Sequence, residues 1–267
     1  MRQLSAFIAT VPFCFFSLAV DAYAADAGIW GTVERPDESE VAMNEEVLGG
    51  VSFGGRAELS YQQLRRATEQ EILNTRILLG FGKGNWGHAV EARANQGKEG
   101  ETTTAERYQL NFKSEYEIDD NDYVFAAVNS EKNRIDNIQL RTVEAVGYGR
   151  RLLRSDRQQL DTEIGIGARQ VRFRDETPRE TSEIIRLGLD YDLKISDSAR
   201  FSQVIQVDRA IDSEENTRSE SITSLSASLL GELALTVSLE LVHNSVPGSD
   251  TIPRTQTTTS VGLSYNF

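Results

Sequence analysis

Cysteine is all but missing from this chain. The single one, Cys14, sits inside the apolar opening stretch, so the sequence beyond it has none. That excludes a disulfide framework, and with only two histidines it leaves no material for a zinc site. Proline is scarce, at five residues, and no stretch of helical period appears. Positive charge is short as well. Lysine and arginine number 28 against 41 acidic residues, a net charge of −13, which argues against a nucleic-acid partner. Long hydrophobic runs are missing except at the start. There Arg2 precedes AFIATVPFCFFSLAV (residues 6 to 20), and Ala22-Tyr23-Ala24 follows as a small-x-small site. This is the pattern of a cleaved secretory signal over residues 1–24, too short and without the cationic stop of a membrane anchor.

What is present is alternation. Residues 25–49 are acidic and aperiodic, a flexible lead-in. From residue 50 to 267, segments of strand length with a period of two alternate with turn signals. The chain ends inside one of them, TTTSVGLSYNF, where Val261, Leu263, Tyr265 and Phe267 share a face. One face of each segment is apolar, such as Ile77-Leu79-Phe81, Tyr108-Leu110-Phe112, Tyr123-Phe125-Ala127, Ile138-Leu140 and Leu235-Val237-Leu239. The opposite face is charged. Arg56, Glu58, Arg76, Glu91, Arg93, Arg107, Lys113, Glu115, Asp161, Glu163, Arg169, Arg186 and Asp190 belong to it.

A soluble sandwich would bury the apolar face; an outer-membrane barrel would turn it to lipid and line its lumen with charge. Turn lengths discriminate. GKGN, IDDND, LLRSDR, SDSA and the GE at 231–232 are tight, and they alternate with QLRRATEQE, GKEGETT, SEKNRID, FRDETPRETS, AIDSEENTR and NSVPGSDTIPRTQ, mostly longer and polar. Short periplasmic turns and longer outer loops are the barrel arrangement. Aromatics agree: Phe81, Trp86, Tyr116, Tyr123, Tyr148, Tyr191, Phe201, Tyr265 and Phe267 flank short turns or the C-terminus, as an interfacial girdle would. The expected fold is all-β, a closed up-and-down antiparallel transmembrane β-barrel of about 12 strands. Its last strand pairs with its first to leave no edge. Glu144 falls on the lipid face, so either the register slips there at a bulge or the strand is interfacial. The segment 217–229 starts polar on both faces and is read as reaching above the membrane.

The stretches TTTAERYQLNFKSEYEIDDNDYVFA, GYGRRLL, RLGLDYDLKISD and LVHNSVPGSDTIPRTQTTTSVGLSYNF resemble the salt-induced outer-membrane protein family, a group named as a domain of unknown function. The likeness runs from about residue 50 to the end. It implies an outer-membrane barrel and a link to salt or envelope stress, and brings no catalytic residues. Family members tend to carry an acidic residue soon after the His-Asn pair, where this chain has Val246, Pro247 and Gly248.

Three functions are open at this stage: a narrow pore or packed lumen, a structural role in the envelope, and an outer-membrane esterase. The esterase would use His243 as base and Ser245 as nucleophile, two apart on one face. The motif of such enzymes continues with Asn after the Ser, where Val246 stands here, and no orienting carboxylate is evident. The acidic loops FRDETPRETSE and AIDSEENTRSE are read as solvated, with calcium bridging to lipopolysaccharide phosphate the less economical alternative. No cofactor is expected. The expected partners are outer-membrane lipids and lipopolysaccharide around the apolar belt and the barrel assembly machinery at the C-terminal strand, in a cell outer membrane. The oligomeric state is not legible.

Overall fold

Twelve strands form where the alternation runs. They are β1 Ser52–Arg65, β2 Glu69–Lys83, β3 Trp86–Glu99, β4 Thr102–Glu117, β5 Asp122–Asn133 and β6 Ile138–Ser155, followed by β7 Gln158–Phe173, β8 Glu180–Ser196, β9 Ala199–Ala210, β10 Thr217–Leu230, β11 Leu233–Asn244 and β12 Thr255–Asn266. They come from a computed structural model that describes residues 51–65, 69–174, 179–211, 216–247 and 252–267. The lead segments 1–24 and 25–49 lie outside the described residues, as do parts of both acidic loops.

Every strand pairs antiparallel with its sequence neighbours, and β12 returns to β1 to close the barrel. At the seam the Gly55 N–H donates to the Phe267 carbonyl at 2.7 Å, and the Phe267 N–H donates back at 2.9 Å. A Cβ on Gly55 would lie 2.6 Å from the Phe267 ring, so a larger residue there would displace that ring. At one end the connections are tight. Gly84-Asn85, Asp156-Arg157, Asp197-Ser198 and Gly231-Glu232 are each the whole link between two strands. Gly84 and Gly231 open their turns at positive φ, as two-residue hairpins demand. In the fifth tight connection, residues 118–121, the Asn121 and Asp122 N–H groups donate to the Asp119 carboxylate and hold it below the usual carboxylate range.

The opposite end departs from the expected contrast. Only Gly100 and Glu101 join β3 to β4, so GKEGETT is strand and turn, not a long loop. From there the connections widen around the ring, to residues 245–254 between β11 and β12. Polarity had suggested loop, but polar residues facing an aqueous lumen continue a strand equally well.

The two faces are those of an inverted protein. Large apolar side chains point outward, with Leu59 and Ile164 each 56% and Ile166 63% exposed, whereas Arg186 inside is 2% exposed. β5 corrects one expectation. Tyr123, Phe125 and Ala127 face the interior, Tyr123 at 0% exposure, so Tyr123 does not belong to the aromatic girdle. β5 reads apolar on both faces, so its alternation cannot choose a side; the register chooses. Glu115 stands opposite Phe125 and Lys113 opposite Ala127, and directly opposed residues share a face. The rings fit because β6 and β7 carry glycine beneath them. A Cβ on Gly149 would lie 2.1 Å from Tyr123 Cζ, and one on Gly147 2.7 Å from Phe125 Cε1.

Ile138 is also buried, beside a register shift between Ile138 and Leu140. Glu144 is not displaced by any slip. The β6–β7 register is continuous through it, and its side chain is exposed on the outside. Residues 217–229 lie within β10. Part of their outward polarity is satisfied within the wall: Thr223 donates to Gln203 Oε1 at 2.6 Å, and Gln203 Nε2 donates to Ser221 Oγ at 3.0 Å.

Candidate functional site

Inward-facing charges on twelve strands must neutralise one another or remain solvated, and here they pair across the lumen. Arg76 Nε donates to Glu91 Oε1 at 2.5 Å, and Arg93 Nε donates to the same oxygen at 2.8 Å. Arg93 Nη1 then reaches Glu220 on β10 at 3.0 Å. Arg107 on β4 holds three carboxylates: Glu131 at 3.1 Å, Glu240 on β11 at 2.7 Å and Glu220 at 3.7 Å. Arg218 on β10 closes the chain onto Glu131 at 3.2 Å, beside Arg141 at 3.1 Å. β3, β4 and β5 are not neighbours of β10 and β11, so the pairs Arg93–Glu220, Arg107–Glu220, Arg107–Glu240 and Arg218–Glu131 bridge the interior, while the others lie along its wall.

A second layer sits against β4 to β8. Lys113 pairs with Glu115 at 2.6 Å and with Glu163, which also accepts the Tyr123 hydroxyl at 2.8 Å. Lys113 and Arg151 lie over the Tyr123 ring at 5.5 and 5.1 Å, cation–π contacts that the buried ring permits. Arg186 binds Asp208 through two parallel hydrogen bonds, 2.7 and 2.9 Å, and reaches Asn129 on β5 at 2.9 Å. Asp161, Arg169 and Asp190 are buried in this half. Arg56 bonds Asn266 at 2.8 Å beside the seam, and Glu58 pairs with Arg76.

The facing wall is built from small hydroxyls. Ser224 and Ser238 meet at 2.9 Å, Ser226 and Thr236 at 3.0 Å, and Thr236 and Ser264 at 2.9 Å. A cavity of about 440 Å³ lies along the β11, β12 and β1 wall. Its lining runs from Ile135, Ile252 and Pro253 at the long-loop end past Arg76, Arg93, Arg107 and Glu240 to Thr236 and Gly262.

The remaining girdle residues flank the short turns or the C-terminus, on the outside. Trp86, Tyr116, Tyr148, Tyr265 and Phe267 are exposed, and Phe81, Tyr191 and Phe201 are half-buried. His88 joins this belt, its ring 4.9 Å from that of Phe81 and stacked 6.0 Å from that of Trp86. Tyr148 donates to Asp122 at 2.5 Å.

His243 and Ser245 are turned to different strands. His243 Nδ1 lies 2.9 Å from Thr255 Oγ1 on β12. Ser245 Oγ accepts the Thr217 N–H at 2.7 Å and donates to the Thr217 carbonyl at 3.1 Å, knitting the chain to β10. The hydroxyl is spent on backbone, as a structural serine's would be, and the esterase reading finds no support. Replacing Ser245 with alanine is expected to cost about 1 kcal/mol of stability. The acyl composition of the membrane, read by mass spectrometry, is expected to be the same with either form.

Sequence reading missed Glu131, Arg141, Arg151, Asp208, Arg218, Glu220 and Glu240 as interior residues. The signal was available for Glu220 and Glu240, which share the inward parity of their strands, but β10 is too polar on both faces to declare it. Glu131 and Asp208 were hidden by misread β5 and by sparse charge on β9.

The chain is similar to several known proteins. An uncharacterized protein of Escherichia coli strain K12, YdiY, is 25% identical over 182 residues, 68% of each chain. The translocator domain of the autotransporter NalP from Neisseria meningitidis is 12% identical with a TM-score of 0.44, covering 86% of this chain and 93% of that one. The KdgM porin, solved with disordered oligogalacturonate, is 11% identical at a TM-score of 0.44, covering 80% and 99%. The family described as a protein of unknown function, DUF481, matches residues 57–267, the whole of the barrel but its first few residues, and the chain belongs to it.

Proposed function

We propose that this protein is a narrow solute pathway of a bacterial outer membrane, closed in its resting state by the arginine–glutamate ladder. The belt of exposed leucine, isoleucine and valine supports a lipid environment, since a water-soluble protein rarely leaves so large an apolar surface uncovered. Residues 1–24 fit an export signal removed on the way, which places the short turns on the periplasmic side and the wide end outside. Lipids and lipopolysaccharide then surround the belt, and the assembly machinery meets the strand that ends in Phe267.

The observation that carries the reading is a cavity inside the barrel whose wall includes ion pairs between non-adjacent strands, Arg93–Glu220 and Arg107–Glu240. A purely structural barrel has no use for such a cavity, whereas a pathway needs both room and a removable stop. Arg107 is the latch, because one guanidinium ties β4 to β5, β10 and β11. Buried pairs of this kind are little weakened by salt.

The test is current through a planar bilayer. The wild-type barrel is expected to be nearly silent at low voltage, and the Arg93→Ala/Arg107→Ala variant to conduct in steady steps. A large, steady wild-type current, or a folded but silent variant, overturns the latch. A chain lacking residues 25–49, run alongside, separates any contribution of the lead-in.

A further inference from the structure

The cavity has a chemistry of its own, and it is not that of an ion site. Among the described residues, each arginine and glutamate lining it is already engaged. Glu58 pairs with Arg76, Arg93 with Glu91 and Glu220, Arg107 with Glu240, and Glu106 with Arg134 at the rim. Asp136 accepts from the amides of Asn133 and Gln256, at 2.9 Å in each case. An arriving cation or anion would have to break one of these pairs to be neutralised, leaving the displaced charge in a confined interior.

Uncharged hydrogen-bonding capacity, by contrast, is left over. The Gln109 amide and the hydroxyls of Thr258 and Ser260 line the cavity with no hydrogen bond among the described residues. Amides and hydroxyls both donate and accept, so the wall offers alternating partners without net charge. The volume, about 440 Å³, lies in the ordinary range for a small-molecule site.

We propose that this vestibule binds a neutral polyhydroxylated molecule of mono- to disaccharide size. Its hydroxyls would bridge the Gln109 amide to the Thr258 and Ser260 hydroxyls. The inference rests on the closed-pathway reading only for the side from which the solute arrives; binding itself does not require that the ladder ever open.

Saturation-transfer NMR on the full chain in lipid nanodiscs tests it without any current being measured. Sucrose and sorbitol serve as neutral probes, citrate as the anionic and choline as the cationic one. Transfer to at least one neutral probe is expected, with neither charged probe competing. Gln109→Leu/Ser260→Val is expected to weaken it about tenfold, the loss of two hydrogen bonds. The outward-facing Thr259→Val is expected to leave it unchanged. Gln109→Leu and Thr258→Val, made singly, serve if the double variant does not fold. No transfer to either neutral probe overturns the proposal, and so does equal transfer in the folded lining variants. Stronger transfer to citrate or choline overturns it in favour of an ion site. Binding with a silent latch variant would sink the pathway and leave the vestibule standing; conduction without binding would do the reverse.

Discussion

Replacing Arg186 with methionine is expected to cost the barrel about 3–5 kcal/mol, read as a fall in the urea midpoint of unfolding. Arg186 and Asp208 are 2% and 3% exposed, and two parallel hydrogen bonds join them. Removing the guanidinium leaves the Asp208 carboxylate with the Gln206 amide at 3.1 Å as its remaining hydrogen bond in this cluster. The penalty is that of a stranded charge, not the worth of the pair. Arg186→Met/Asp208→Leu is therefore expected to recover most of the loss, since an apolar pair of similar volume replaces an ion pair at little cost. A single-variant loss below about 1 kcal/mol would mean that water reaches the pair, as at an exposed salt bridge.

Gly167→Ala is the second large effect, expected to remove about 3 kcal/mol, near the top of the overpacking range, and to leave little compact barrel on a heat-shift gel. Its Cβ would lie 2.1 Å from the Glu144 carbonyl oxygen and 3.0 Å from the Ala145 Cα. These are backbone atoms of the paired strand, and no rotamer change can move them. Gly149→Ala differs in kind. There the Cβ would meet the Tyr123 ring, a side chain, so Tyr123→Leu is expected to rescue it and to do nothing for Gly167→Ala. Gly87→Ala, with nothing within 4 Å of its Cβ, is the control expected to fold normally. Equal losses at Gly87 and Gly167 would show that the effect is one of generic strand glycine rather than close approach.

Strand existence, strand number and the inverted sense of the barrel were legible because each rests on a period of two repeated twelve times. β8 illustrates it. Ile185, Leu187 and Leu189 alternate with Arg186 and Asp190, and a one-residue error would put arginine into lipid. The outward aromatics by the short turns, apart from Tyr123, follow from the same parity. Where both faces share a character, the period is silent. β5 is apolar on both sides, so its parity came from β4, and Tyr123 moved from the girdle to the interior. The length of GKEGETT misled for a related reason, since polarity does not separate a loop from a strand whose inner face meets a charged lumen.

The candidate site was legible only as a set of inward charges. Which of them meet is a matter of shear and of diameter. Arg107 and Glu240 are 133 residues apart, and no spacing rule connects them. Likewise the cavity is walled by β1 to β4 together with β11 and β12, a juxtaposition that appears only once the sheet has closed. The amino-acid sequence by itself determined that this chain alternates, that its apolar side is the outer one and that its first and last strands must meet, because these follow from residue-to-residue periodicity and from the need to satisfy every edge. The tertiary structure alone decided which charges meet and which residues line the cavity, because those depend on distances across the barrel that no stretch of sequence contains.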